Sequence, residues 1–271
     1  MSGGFPAGLQ IGGCTDYGTD TSNTVATSIT ANNTQNVKGS YSQLVAATSF
    51  DACGMLIYMK NGKGLFYSLD LAIGAGGAEK IIAPDLVTAG ATTTMATQIF
   101  VPICIPKGTR ISARCQANAA SAGAITCAVY LCDGGLSHMV EGYAGIDAIG
   151  FGTANYGTAV TSGATSAKGS YAQLIASTAR DYAGLFAVVA NSNGNDSINI
   201  FMDTAVGAGG SEQDIILNTP FRSNGNGAFR PTVTPFIPIQ IPKGTRLATR
   251  IADDRGGSGI TFGVTLYGVY Q

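Results

Sequence analysis

Four blocks of this chain occur twice in the same order, and that repetition limits the fold more than any other feature. Lys38-Gly-Ser-Tyr41 returns as Lys168-Gly-Ser-Tyr171, and Gln43-Leu-Val-Ala-Ala-Thr48 as Gln173-Leu-Ile-Ala-Ser-Thr178. Ile73-Gly-Ala-Gly-Gly-Ala-Glu79 returns as Val206-Gly-Ala-Gly-Gly-Ser-Glu212, and Ile105-Pro-Lys-Gly-Thr-Arg110 as Ile241-Pro-Lys-Gly-Thr-Arg246. The offset widens from 130 to 133 to 136 along the chain (38 to 168, 73 to 206, 105 to 241), as small loop insertions in the second copy produce. Weaker matches extend the repeat: Tyr17-Gly-Thr19 with Tyr156-Gly-Thr158, Phe5-Pro-Ala-Gly8 with Tyr143-Ala-Gly145, and Ile125, Thr126 and Val129 with Ile260, Thr261 and Val264. With 271 residues, each copy is long enough to hold its own core, and two copies are too few for a solenoid. The expectation is two domains related by internal duplication, 1–135 and 141–271, with a junction at about 133–141.

Both copies read as all-β. Gly, Thr, Ser and Asn interrupt every potential helix. The apolar runs are short and rich in β-branched and aromatic residues, as in Gly54-Met-Leu-Ile-Tyr-Met59, Ala124-Ile-Thr-Cys-Ala-Val-Tyr-Leu131 and Gly184-Leu-Phe-Ala-Val-Val189. Several alternate apolar with polar, the period of a half-buried strand. Roughly seven to nine such runs per copy predict a β-sandwich of jelly-roll type. The Ala-rich tract from Gln43 to Thr48 has the composition of one helical turn.

Charged residues make up only 11% of the chain, so those that recur carry weight. In Ile-Pro-Lys-Gly-Thr-Arg, proline ends a strand, Lys-Gly turns, and Thr-Arg opens the next strand. That strand carries Arg110 with Arg114 in one copy and Arg246 with Arg250 in the other, on one face by the strand period. Asp70 matches Asp203, and Glu79 matches Glu212. The expected role of these eight residues is structural, an arginine fork on a carboxylate at strand ends. A carboxylate pair for glycoside hydrolysis is the competing reading.

Composition excludes several classes of function. A net charge of −1 offers nothing to a phosphate backbone, so nucleic acid is not an expected partner. No apolar run reaches the roughly 18 residues of a membrane span. The start, Met1-Ser-Gly-Gly-Phe-Pro6, lacks the basic and apolar segments of a signal peptide, and the expectation is synthesis in a cytoplasm without export. A surface so poor in charge suits contact with other subunits.

The sequence offers few signals for chemistry. Gly74-Ala-Gly-Gly77 is followed by a strand-like segment and no Lys-Ser or Lys-Thr, so it reads as a turn rather than a phosphate loop. The one histidine, His138, falls in the junction without a nucleophile elbow near it, and cannot by itself build a metal site. All six cysteines (Cys14, Cys53, Cys104, Cys115, Cys127 and Cys132) lie in the first copy, and Gln240, Ile251, Phe262 and Tyr267 stand opposite the last four. They read as small apolar core residues, with bridges such as Cys104–Cys115 open to a protein that works outside a cell. No cofactor, metal or catalytic residue is expected, and the chain reads as not an enzyme.

The blocks Gly-Ser-Tyr-x-Gln-Leu-Ile-Ala-Ser-Thr, Ala-Val-Gly-Ala-Gly-Gly-Ser-Glu and Ile-Pro-Lys-Gly-Thr-Arg resemble virion structural proteins of tailed bacteriophages. That resemblance implies a β-sandwich on the virion exterior, as a capsid cement or decoration protein or a tail component. Its partners would be the major capsid protein or other virion subunits, and the chain itself a homo-oligomer, a trimer by symmetry. The alternative is a receptor- or carbohydrate-binding module of a tail fibre or tail tip, with Tyr17, Tyr41, Tyr156 and Tyr171 as sugar platforms. A polysaccharide-degrading enzyme is the third reading.

Overall fold

In a computed structural model, residues 14–17, 26–61, 65–89, 96–120, 123–133, 142–154, 156–191, 198–223, 232–255 and 259–271 are described. Among them there is no helix. His138 and the junction around it fall outside the described residues, as do the side chains of Cys14 and Tyr17.

The first half contains β1 (Cys14–Tyr17), β2 (Thr27–Thr30), β3 (Ser42–Val45), β4 (Ala52–Asn61), β5 (Phe66–Ile73), β6 (Lys80–Ala89), β7 (Ala96–Val101), β8 (Ile111–Ala117) and β9 (Ala124–Asp133). The second contains β10 (Gly145–Ile149), β11 (Thr158–Thr161), β12 (Ala172–Ile175), β13 (Tyr182–Asn191), β14 (Ile198–Val206), β15 (Gln213–Ser223), β16 (Thr232–Val233), β17 (Ile237–Ile241), β18 (Leu247–Asp253) and β19 (Thr261–Tyr270).

All pairings are antiparallel. In the first half, β9 lies between β4 and the collinear β1 and β2, β7 closes the sheet beside β4, and the other sheet runs β3-β8-β5-β6. The second half repeats this: β19 lies between β13 and the pair β10 and β11, with β16 and β17 on the far side of β13, against a sheet ordered β12-β18-β14-β15. Strand orders 2-9-4-7 and 3-8-5-6 are jelly-roll connectivity. The tract from Gln43 to Thr48, composed like a helical turn, begins in strand β3 and bends after Val45, because the strand pairs with β8 and tertiary pairing overrides local propensity.

Strand register shifts the sequence comparison along the last strand of each half by two residues. Leu56 pairs with Tyr130 on β9, and its equivalent Phe186 pairs with Tyr267 on β19. Tyr130 thus corresponds to Tyr267, and Cys127 and Cys132 correspond to Val264 and Val269, each two residues away from the match read off the sequence; Tyr17, paired with Val129, corresponds to Ile149, paired with Leu266, and not to Tyr156. A slip of two keeps every side chain on its face, so the period gave no warning.

Each sandwich closes on an apolar layer. Ile57, Met59, Leu69, Leu71, Ile111 and Val129 are fully buried in the first, and Leu185, Val189, Met202, Leu247, Phe262 and Val264 nearly so in the second. The first core continues into the second half: Ile146, Tyr156, Phe186, Val188, Tyr267 and Val269 belong to the same buried cluster. Here the edge strand β6 lies across the outer face of the sheet formed by β10, β19 and β13. Tyr267 stacks on Phe186 at 4.7 Å between ring centroids. Its hydroxyl donates to the Asp85 carbonyl at 2.7 Å and accepts from the Val87 amide at 3.1 Å. Tyr156 packs between Phe66 and Phe151 with centroids 5.5 and 5.8 Å away.

Removing the hydroxyl with Tyr267→Phe leaves a buried amide and carbonyl unpaired, at a cost of about 1–3 kcal/mol. Calorimetry is expected to record a fall in Tm of roughly 2–4 °C for each kcal/mol. An unchanged Tm would mean that these groups find other partners.

Candidate functional site

The eight recurrent charges meet on the outer faces of the two four-stranded sheets. On β5, Asp70 is almost wholly buried, its side chain 4% exposed. It accepts from Lys38 Nζ at 2.7 Å, Arg114 Nε at 2.9 Å and the Asp85 amide at 3.0 Å. On β14, Asp203 repeats the set with Lys168 Nζ at 2.7 Å, Arg250 Nε at 2.9 Å and the Asn218 amide at 2.9 Å. Asp85 and Asn218 sit in left-handed backbone (φ 49° and 51°), where the register of β6 and β15 slips by a bulge. Asp and Asn tolerate that conformation better than most residues. Each carboxylate therefore pins a bulge as well as pairing two cations.

The second cluster closes the glycine turn between β5 and β6. Arg110 reaches Glu79 at 3.2 Å, the Gly74 carbonyl at 3.1 Å and Gln43 at 3.0 Å. Arg246 reaches Glu212 at 3.2 Å, the Gly207 carbonyl at 2.9 Å and Gln173 at 2.8 Å. The turn amide of Gly77 donates to Glu79, and that of Gly210 to Glu212, so donors that a phosphate loop would aim at a ligand are spent on a carboxylate. The following turn needs glycine for its shape, with φ 80° at Gly108 and 84° at Gly244.

The sequence reading missed several partners in these clusters. Lys38 and Lys168 bridge to the buried aspartates, although both stand in the first repeated block. Tyr41 and Tyr171 lie under Arg114 and Arg250, with 4.7 and 4.5 Å from guanidinium carbon to ring centroid. Asp214 adds a second acid to Arg250 at 3.0 Å and accepts from the Tyr171 hydroxyl, which burial and this hydrogen bond push up to about 12. Of the tyrosines read as sugar platforms, Tyr41 and Tyr171 each have a face covered by arginine, and Tyr156 is 1% exposed, buried between the halves. Cys115 and Cys127 are buried thiols, pushed up to about 12 chiefly by burial. Cys104 lies beside Cys53, not beside Cys115, whose thiol points to the Ile29 carbonyl.

A separate feature lies at the end of the β13–β17 pairing. Arg180, Asp181, Tyr182, Ala183, Gln240 and Gln271 line a surface cleft of about 310 Å³. Arg180 stacks on Tyr270 at 3.9 Å and pairs with Asp147 at 2.8 Å, and the Tyr182 hydroxyl donates to the same carboxylate at 2.9 Å. Burial first, then Asp147, pushes the Tyr182 hydroxyl well above its ordinary value. Asp181 is already engaged by the Lys243 amide at 2.7 Å. The first half has Phe50, Cys53 and Cys104 where the cleft has Arg180, Ala183 and Gln240.

No family model matches the chain, and no curated protein matches it. Among solved structures it is similar to PNGase F, a glycosylasparaginase from Flavobacterium meningosepticum, at 10% identity and a TM-score of 0.37, over 89% of this chain and 95% of that one. It is also similar to infectious bursal disease virus, Gx strain (9%, TM-score 0.26, 83% and 58%), and to a fucolectin from Morone saxatilis, striped bass, serum (12%, TM-score 0.21, 84% and 85%). The expectation that the chain is not an enzyme is corrected here. A neighbour aligned over most of its length, PNGase F, is a glycosylasparaginase. At such low TM-scores these likenesses carry no argument for any activity or ligand.

Asp203 makes stability depend on pH. Burial alone raises Asp203, but the hydrogen bonds from Lys168, the Asn218 amide and Arg250 outweigh it and hold the carboxyl below its ordinary range. Its contribution is therefore in place above the unfolded value of about 3.9 and is lost as pH falls through the lower folded value. Asp203→Asn is expected to lower the Tm at pH 7 and to flatten its acid limb below about pH 4. An acid limb as steep as that of the unsubstituted protein would assign the dependence to other carboxylates.

Proposed function

We propose that this chain is a structural component of a virion, a capsid cement or decoration protein that stabilises a shell by lying across neighbouring subunits. One contrast between equivalent edges carries the reading. In the first half, the β6 edge is covered by the second half: Val87 is fully buried and donates to the Tyr267 hydroxyl, and its cross-strand neighbour Ser68 on β5 is fully buried too. In the second half, the same positions on β14 and β15 are Phe201 and Pro220, both exposed, and Leu217 at the bulge is 61% exposed. Large apolar side chains on an edge whose counterpart is a buried protein interface suit a partner subunit.

The bulge and Pro220 block simple extension of the sheet, because proline has no amide to donate. A shell subunit would cover this edge as the second half covers β6, with a sheet face laid across it. The low charge of the chain and its resemblance to tailed-phage virion proteins point the same way. A ligand of the assembled shell stabilises it by mass action.

Leu217→Asp together with Phe201→Asp is expected to abolish binding to assembled shells while leaving the Tm of the free protein within about 1 °C, as for exposed positions. Cosedimentation of the purified variant with particles measures the first, and calorimetry the second. Retained binding, or density confined to the tail in electron micrographs of particles, would overturn the reading.

The Arg180 cleft favours a second reading, a receptor- or carbohydrate-binding module of a tail. Its amides, guanidinium and aromatic edge suit a neutral polyhydroxylated ligand. Glycan-array binding lost on Gln240→Ala and Arg180→Ala is expected on that reading, and an array with no signal for the unsubstituted protein excludes it.

A further inference from the structure

Two cysteines in the first half stand in a geometry that their sequence separation conceals. Ala52 and Ile105 form an antiparallel bridge and exchange both backbone hydrogen bonds, each at 2.8 Å. The next rung of such a ladder pairs residue 53 with residue 104, without backbone hydrogen bonds between them. Consistent with that, the Cys104 amide turns away from β4 and donates to the Tyr143 carbonyl at 3.0 Å. Rungs of this kind bring Cα atoms to about 4.5 Å and side chains closest together, within the Cα range of about 4.4–6.8 Å that a disulfide spans. The two thiols share a hydrogen bond, and both are half-buried, accessible to a small oxidant. The second half has Ala183 and Gln240 in these positions, so the fold itself needs no sulfur there.

We propose that Cys53 and Cys104 form a cross-strand disulfide when the protein meets a disulfide oxidant. One thiolate attacks oxidised glutathione, forming a mixed disulfide and releasing one glutathione thiolate. The second thiolate attacks the protein sulfur of that mixed disulfide, expels the second glutathione and closes the bond. The two cysteines lose two electrons and two protons, and one glutathione disulfide becomes two thiols. The bond closes the loop from residue 53 to residue 104, which includes β5, β6 and β7, and so restricts the unfolded chain. It also fixes the segment that holds Tyr143, at the entry to the second half. A chain folded with reduced thiols thus acquires a lock on reaching an oxidising environment.

Tryptic mapping reads the bond directly. Cleavage after Lys38, Lys60, Lys80 and Lys107 isolates each thiol in its own peptide, 39–60 and 81–107. After incubation of the full chain with oxidised glutathione, a joined peptide of 39–60 and 81–107 is expected under non-reducing conditions, with loss of two hydrogen masses. The Tm is expected to rise by roughly 5–15 °C on oxidation. Cys53→Ser and Cys104→Ser each remove the joined peptide and that part of the shift. If both thiols of the oxidised, folded chain still react with iodoacetamide, or if Cys104 is joined instead to peptide 115–168, the proposal fails.

Discussion

A buried carboxylate on the second strand of each four-stranded sheet holds the rest of the outer architecture in register. Asp70 and Asp203 lie where a charge is costly unless every lone pair is engaged. Two cations and one backbone amide engage each of them. The amide belongs to the bulge residue of the neighbouring strand, so the carboxylate fixes the bend of β6 and β15. That bend in turn aims the Asp85 carbonyl at Tyr267, and the interface between the halves depends on it. Neutralising the carboxylate therefore disturbs an ion pair, a strand edge and, in the first half, the contact with the second.

The two clusters reach neutrality differently. In the first half Lys38 bridges Asp70 and Asp85, each at 2.7 Å. In the second, Asn218 replaces Asp85, and the missing negative charge is supplied by Asp214 on the opposite side of Arg250. The balance of two cations and two anions is retained while one acid moves. This is the behaviour expected where an unpaired buried charge costs more than a changed side chain.

These differences explain what the sequence could reveal. The repeat made the arginines and acids visible because they recur at fixed offsets in short blocks. Lys38 and Lys168 recur as reliably, but their partners lie on β5 and β14, and only the sheet order brings them together. The bulge could not be read, since its residue is Asp in one copy and Asn in the other and acts through its backbone amide. Tyr156 was not legible as an interface residue, because its neighbours Phe66 and Phe151 come from different halves. The Arg180 cleft escaped because, Asp181 apart, which recurs as Asp51, its side chains differ from those of the first copy: Phe50, Cys53 and Cys104 stand where it has Arg180, Ala183 and Gln240.

That asymmetry bears on how a two-part chain comes to need a partner. Joining two like sandwiches in one polypeptide makes their contact intramolecular, with a high effective concentration and little further entropy to lose. One edge, β6, is thereby covered permanently, and Val87 on it and Ser68 beside it on β5 are suited to a protein interior. The equivalent edge, β15, has no such tethered neighbour. Left bare, it would be a template for uncontrolled strand pairing, and the Leu217–Asn218 bulge and Pro220 prevent that without making it polar. An edge protected against sheet extension yet still carrying Phe201 and Leu217 selects for a partner that brings a face rather than a strand. This is the geometry by which the second half already holds the first.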